Sequence, residues 1–204
     1  LIGDGEEIVL DLVNAVRRAK AEGKSKAELL QELSTIRGIY VPSLKAEQTT
    51  VVRRIVRDLD AAPFTGKPIV PYLNIVHDRV ALEVMRGCTR GCRFCQAGYI
   101  YRPIRERKSD TVMELARQQI GCTGYDEVSL LSLSTGDYSE VHKLVPQIIR
   151  EMEAGKVSVS LPSLRVDSEL ANDLSVMQTV RKAGLTFAPE AGTQRLRDVI
   201  NKNV

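Results

Sequence analysis

Nowhere does the chain offer an apolar run near the ~20 residues that a membrane-crossing helix needs, which excludes a helical membrane protein. No secretory signal precedes the first charged residues either. Charge of one sign is scarce: 29 Lys and Arg against 26 Asp and Glu leave a net +3, too mild to imply a nucleic-acid partner by itself. Aromatic residues make up only 4% of the chain, so a base-stacking platform is not evident. The two histidines, His77 and His142, stand apart from any cluster of ligating residues and are read as ordinary.

What is present suits a packed α/β chain. Its 204 residues suffice for one large domain or one and a half ordinary ones, and 43% apolar with 27% charged residues can build a core. The chain begins at Leu1 rather than Met and stops at Val204 just after an apparent helix, so a fragment of a longer protein is expected. The mild net charge hides an uneven distribution. Arg86 to Lys108 holds seven basic residues (Arg86, Arg90, Arg93, Arg102, Arg105, Arg107 and Lys108) against one acid, Glu106. Three of the four cysteines, Cys88, Cys92 and Cys95, fall in that window, while Cys122 stands apart and is read as a small buried residue. A chain of this size needs no disulfide staples, so clustered cysteines point to metal or redox chemistry.

Periodicity organises the remainder. Leu1–Gly5 reads as a strand end turning into a helix with Ile8, Leu12, Val13, Val16 and Ala19 as its stripe and Gly23 as its stop. Ser25-Lys26-Ala27-Glu28 is a capping box for a second helix that Gly38 closes. Residues 37–78, with Pro42, Pro63, Pro68 and Pro71, read as an interdomain connection, with an extended segment at Val51–Asp58. Strands are then predicted at Val80–Met85, Val128–Leu133, Val157–Leu161 and Thr186–Ala188. Helices are predicted at about Asp110–Ile120 (capped by Ser109), Ser139–Glu153 (disturbed by Pro146), Glu169–Ala183 and Thr193–Lys202. This alternation implies a parallel sheet of βαβ units, whose chemistry gathers in the loops after the strands.

The first such loop carries Cys88-x-x-x-Cys92-x-x-Cys95 between Gly87 and Gly91-assisted turns. Thiolates suit zinc or iron–sulfur clusters. Structural zinc wants four ligands, and neither Cys122 nor His142 has a partner at ligand spacing. Three thiolates with a vacancy instead suit a [4Fe–4S] cluster that keeps a position for a small molecule, its negative charge eased by nearby arginines and loop N–H groups. Structural zinc and merely buried or reactive cysteines are the alternatives.

Cys88-x-x-x-Cys92-Arg93-Phe94-Cys95 after the first strand of a (βα) barrel is the signature of radical SAM enzymes, and the chain resembles that superfamily. The wider segments Glu83–Gly98, Tyr101–Arg107, Pro162–Asp167 and Ala188–Arg197 resemble a subgroup with a cobalamin-binding-type domain in front of the barrel. The resemblance implies residues 1–36 as the C-terminal end of that Rossmann-type domain, 37–78 as linker, and 79–204 as a partial barrel of about four βα units. It further implies that Cys88, Cys92 and Cys95 hold three irons, with S-adenosylmethionine (SAM) chelating the fourth. Reductive cleavage of SAM would then yield a 5′-deoxyadenosyl radical that abstracts hydrogen from a substrate. Phe94 is expected near the adenine.

The later loops supply the other SAM contacts that the resemblance implies. Ser134-Thr135-Gly136-Asp137 stands where the family has Gly-Gly-Glu, with one glycine and Asp for Glu. Asp137 is expected to accept from the SAM ammonium, or with Ser139 to cap the next helix, and the two roles are compatible. Ser163 and Arg165 follow the third strand, where an Arg can clamp a carboxylate through two parallel bonds. The ordinary alternative is a surface Arg. Glu190 and, twelve residues on, Lys202 are expected near the ribose or methionine end. The Arg102–Lys108 run is read as a solvated rim in preference to a surface for a phosphate-bearing substrate such as RNA. An electron donor such as a ferredoxin or flavodoxin and a cytoplasmic setting complete the expectation, with cobalamin a candidate for the full-length protein only. The rival class is a non-catalytic protein with structural zinc or a redox-sensing cluster.

Overall fold

Backbone and side chains divide the chain into two compact units, Leu1–Pro63 and Phe64–Val204. The computed structural model describes residues 1–44, 50–73, 75–164 and 188–202.

In the first unit, helix α1 (Gly5–Ala21) carries Glu6 and Glu7 in its first turn and Arg18 and Lys20 in its last, each set opposing the end charge of the helix dipole. Its buried stripe runs through Ile8, Ala15 and Ala19 with Leu12 packed alongside, whereas Val13 is 42% exposed. The spacing 8-12-15-19 keeps to one face, and Val13 lies off it. Helix α2 (Lys26–Ser34) starts on the predicted capping box: Glu28 N–H donates to the Ser25 hydroxyl and Ser25 N–H to the Glu28 carboxylate. Gly38 (φ +89°) then lets the chain turn where a Cβ would stand 2.7 Å from Ile8 Cδ1. Ile39 and Val41 join the core of α1 and α2, and Gly3 forms a parallel bridge with Arg54. Ile39, Val41 and Arg54 are thereby tied to this unit, which extends to Pro63.

The second unit is built on a parallel sheet of β1 (Val80–Glu83), β4 (Glu127–Leu131) and β5 (Ser158–Ser160), in the order β1-β4-β5, with Val80 opposite Val128 and Val128 opposite Val159. Helix α4 (Ser109–Thr123) lies between β1 and β4 in the chain, and α5 (Val141–Glu153) between β4 and β5. Parallel strands in chain order with helices between them are part of a (βα) barrel. The core joins Val80, Leu82, Val128, Leu130 and Val159 of the sheet to Val112, Met113 and Ala116 of α4 and to Leu144, Val145 and Ile148 of α5.

Several boundaries move. The strand predicted over Val80–Met85 divides at Val84, whose N–H donates to Leu131 O of β4 while its carbonyl accepts from Arg107. Beyond that point Met85–Arg86 (β2) turns away to pair antiparallel with Arg105–Glu106 (β3). Strand β4 stops before Ser132, whose hydroxyl accepts from Ser134 N–H and starts a turn. Ser109 is not the cap of α4: Lys108 occupies that position, and the Ser109 N–H donates to Glu140 Oε2 at 2.8 Å, a carboxylate suited to a helix N-terminus. Pro146 sits inside α5 without ending it, and the buried residues 141, 144, 145, 148, 149 and 152 keep one face across it. The predicted helix 169–183 and Arg165 lie outside the described residues. So does the predicted fourth strand except Ala188, which is not in a strand. Helix α6 (Gln194–Val199) follows, capped by Thr193, whose hydroxyl accepts from Leu196 N–H.

Candidate metal centre

The cysteine loop leaves β2 through Gly87, where φ is +96° and an added Cβ would meet Tyr101 O at 2.8 Å, so a side chain has neither the conformation nor the room. Cys92 is buried, Cys88 and Cys95 are half-buried, and all are free thiols. The Arg90 N–H donates to Cys88 Sγ at 3.4 Å, and Cys95 N–H to Cys92 O at 3.1 Å as the chain enters α3 (Ala97–Ile100). Phe94 between them is 52% exposed.

One side of the loop is fastened to the turn after β4, the short helix Thr135–Asp137. Arg90 grips Asp137 with Nε at 2.9 Å from Oδ2 and Nη2 at 2.5 Å from Oδ1. The Ser134 hydroxyl donates to the same carboxylate at 2.7 Å and the Thr89 hydroxyl at 3.4 Å. Thr135 is fully buried, its hydroxyl bonded with Ser132, and its N–H donates to Ser163 O at 3.0 Å. Ser163, after β5, is thereby joined to the turn, and half-buried Gly136 lies between Thr135 and Asp137.

The other side meets the end of α6. Arg93 donates from its backbone N–H to Ile200 O at 2.9 Å and from Nη1 to Val199 O at 2.6 Å, and Asn201 Nδ2 donates to Gly91 O at 2.8 Å. Next to Asn201, Lys202 Nζ stands 3.6 Å from Glu190 Oε1, so these two predicted contacts come together. From the sequence, Arg90 and Arg93 are read only as members of the basic stretch and Ser134 only as part of the turn after the second strand, and Asn201 is not singled out. The only signal was that two arginines occupy the spaces between the cysteines.

The basic run is a solvated rim only in part: Arg102 and Lys108 are exposed, but Arg105 and Arg107 are not. Arg105 and Arg107 are 7% and 3% exposed, and their guanidinium groups donate to Tyr101 O, Pro103 O and Glu83 O. Arg102 donates to Arg90 O and lies 4.8 Å over the Tyr99 ring, while Arg86 pairs with Glu83. Looped chain leaves carbonyls without ladder partners, and these forks satisfy them. Cys122 is exposed rather than buried, with its thiol on Gly66 O and Gln119 O.

Among the described residues no three His, Cys, Asp or Glu side chains converge as a single metal ion requires. A [4Fe–4S] cluster asks for less convergence, because each thiolate binds a different iron. Three free thiols on one short loop, with a backbone N–H already on a sulfur, fit such a group. Fold and site thus define a partial (βα) barrel that carries three free thiols on one short loop. Residues 82–204 match the family described as the radical SAM superfamily, and the chain belongs to it. Residues 1–42 match the family described as radical SAM proteins, N-terminal. The chain is 41% identical over 123 residues to an uncharacterized protein of Methanocaldococcus jannaschii, a match covering 60% of this chain and 26% of that protein's length.

Proposed function

We propose that the protein is a radical SAM enzyme in which Cys88, Cys92 and Cys95 hold the cluster and the loops after the strands hold SAM. The observation that carries this reading is the three-thiol loop itself, fastened between the β4 turn and the end of α6. When bound, cluster and SAM supply reductive cleavage of the SAM sulfonium and hydrogen abstraction from a substrate. The chain's own residues bind and orient. Glu190 and Lys202 offer a carboxylate and an ammonium side by side, the complement of an amino-acid end. Ser163, tied to Thr135, lines the same edge of the sheet with Gly136, and Arg165, two residues on in sequence, is proposed as a further SAM contact. Phe94, exposed between the second and third thiols, is available to pack on the adenine. A ferredoxin or flavodoxin supplies the electron in a cytoplasmic setting.

The test is anaerobic purification followed by reaction with SAM and dithionite. Brown protein with about four irons per chain and 5′-deoxyadenosine detected by mass are expected. Colourless protein with one zinc overturns the reading. Cys92→Ala is expected to abolish 5′-deoxyadenosine formation, and wild-type formation in that variant would sink the ligand assignment.

A further inference from the structure

We propose that Arg90 and Asp137 are a positioning pair that sets the cysteine loop in its ligand-bearing shape, so that Asp137 serves the loop and not the ammonium of SAM. The inference rests on the reading of Cys88, Cys92 and Cys95 as cluster ligands. Arg90 lies midway between the first two of them, and its fork meets the Asp137 carboxylate through two parallel charge-assisted bonds, at 2.9 and 2.5 Å. Ser134 at 2.7 Å and Thr89 at 3.4 Å join Arg90 Nε on Oδ2, so three donors of the chain meet that oxygen, while Oδ1 accepts Arg90 Nη2. The Asp137 side chain is 11% exposed, so water competes little for it. An ammonium arriving at Oδ2 would have to displace one of three donors, and at Oδ1 it would meet the like charge of the Arg90 guanidinium.

The same residue also faces a ligand. While its side chain is held 47 residues away in sequence, the Arg90 backbone N–H points to Cys88 Sγ at 3.4 Å. Freeing the guanidinium removes the side-chain tether of the residue whose N–H faces the thiol and leaves its backbone held at the carbonyl by Arg102. A loop ordered beforehand loses less chain entropy when the thiolates are engaged, which slows release of whatever they hold. Asp137 is placed to do this because the 3-10 turn Thr135–Asp137 is anchored by the buried Thr135 hydroxyl and by the Thr135 N–H on Ser163 O.

The full-length protein is compared with Asp137→Asn, Arg90→Gln, the double variant and Arg90→Lys, which keeps the charge but not the fork. Amide exchange across residues 88–95 is measured in the iron-free proteins. Iron release to a chelator and SAM binding are measured after anaerobic loading with iron and sulfide. Each single variant is expected to release iron about tenfold faster, with faster exchange in the loop and an unchanged urea unfolding curve. The double variant is expected to be no worse than the more affected single one, because both remove one interaction. Wild-type release and exchange in the single variants overturn the proposal. So do fully additive effects, a urea curve displaced as much as the loop, or an Asp137→Asn change confined to SAM binding. If the wild-type protein takes up no cluster, the reading of the cysteines fails instead. Exchange in the iron-free loop then still decides whether the pair orders it.

Discussion

Gly87 shows how much a single position can demand. Its φ of +96° lies where L side chains are strained, and a Cβ there would be forced to within 3.1 Å of Ile104 Cα and Pro103 O as well as 2.8 Å of Tyr101 O. Those atoms are backbone and cannot rotate away. Gly87→Ala is expected to cost roughly 1–3 kcal/mol and to lower iron uptake, as read by urea unfolding and iron analysis. A normal urea curve with full iron content would show that the loop can shift to admit the methyl group. Tyr138 makes a different demand. It is buried and was not singled out from the sequence, yet its hydroxyl donates to Arg107 O at 2.7 Å and ties the start of α5 to the strand leaving β3.

At the scale of elements, α4 and α5 pack on the sheet and on each other, with Arg117 of α4 forked onto Glu151 of α5 and Nη2 at 2.7 Å from Oε2. The hydrogen bonds from Arg117 hold the Glu151 carboxyl below its ordinary value of 4.5. A depressed carboxyl contributes stability that is complete above that ordinary value and is lost as pH falls through the lowered one. Glu151→Gln is therefore expected to lose that contribution at neutral pH and to show a shallower acid-side decline. Urea unfolding across the carboxylate range checks both, and high salt should shrink the difference. Leu144 on the buried face of α5 is fully enclosed, so Leu144→Ala is expected to cost roughly 2–5 kcal/mol by the same measurement.

Elements whose ends carry their own chemistry were legible in the sequence. Gly23 marks the end of α1 and the Ser25–Glu28 box the start of α2 within a residue or two, whereas α2 stops at Ser34, four residues before Gly38. The apolar spacing of α5 outvoted Pro146 because six buried residues hold the helix against its neighbours. What escaped depends on partners far away in the chain. Val84 ends β1 only because Leu131 and Arg107 take its two backbone groups. Glu140 covers the start of α4 from 31 residues away. The cysteines announced themselves by spacing, but Arg90 and Asp137 each had an ordinary explanation until the fold brought them together. Arg105 and Arg107 misled because a run of like charge is usually solvated, and here the loop carbonyls drew the guanidinium groups inward.

At the scale of the whole chain, the two compact units have separate cores, one around Ile8 and Leu33, the other around Leu82 and Leu144. Urea unfolding is expected to show two transitions, with Ile8→Ala moving one and Leu144→Ala the other. A single transition displaced by both substitutions would mean that the units unfold as one. No helix among the described residues is long and apolar enough to cross a membrane.

The bond from Arg93 to Val199 O spans 106 residues of sequence. A ribosome adding 5–20 residues per second needs roughly 5–20 s for that stretch. Throughout that interval the nascent chain displays Cys88, Cys92 and Cys95 with neither Arg93 nor Gly91 secured from this side. The thiols thus meet cellular oxidants before their second wall exists, and the order of synthesis makes early metal loading or a reducing surrounding an advantage.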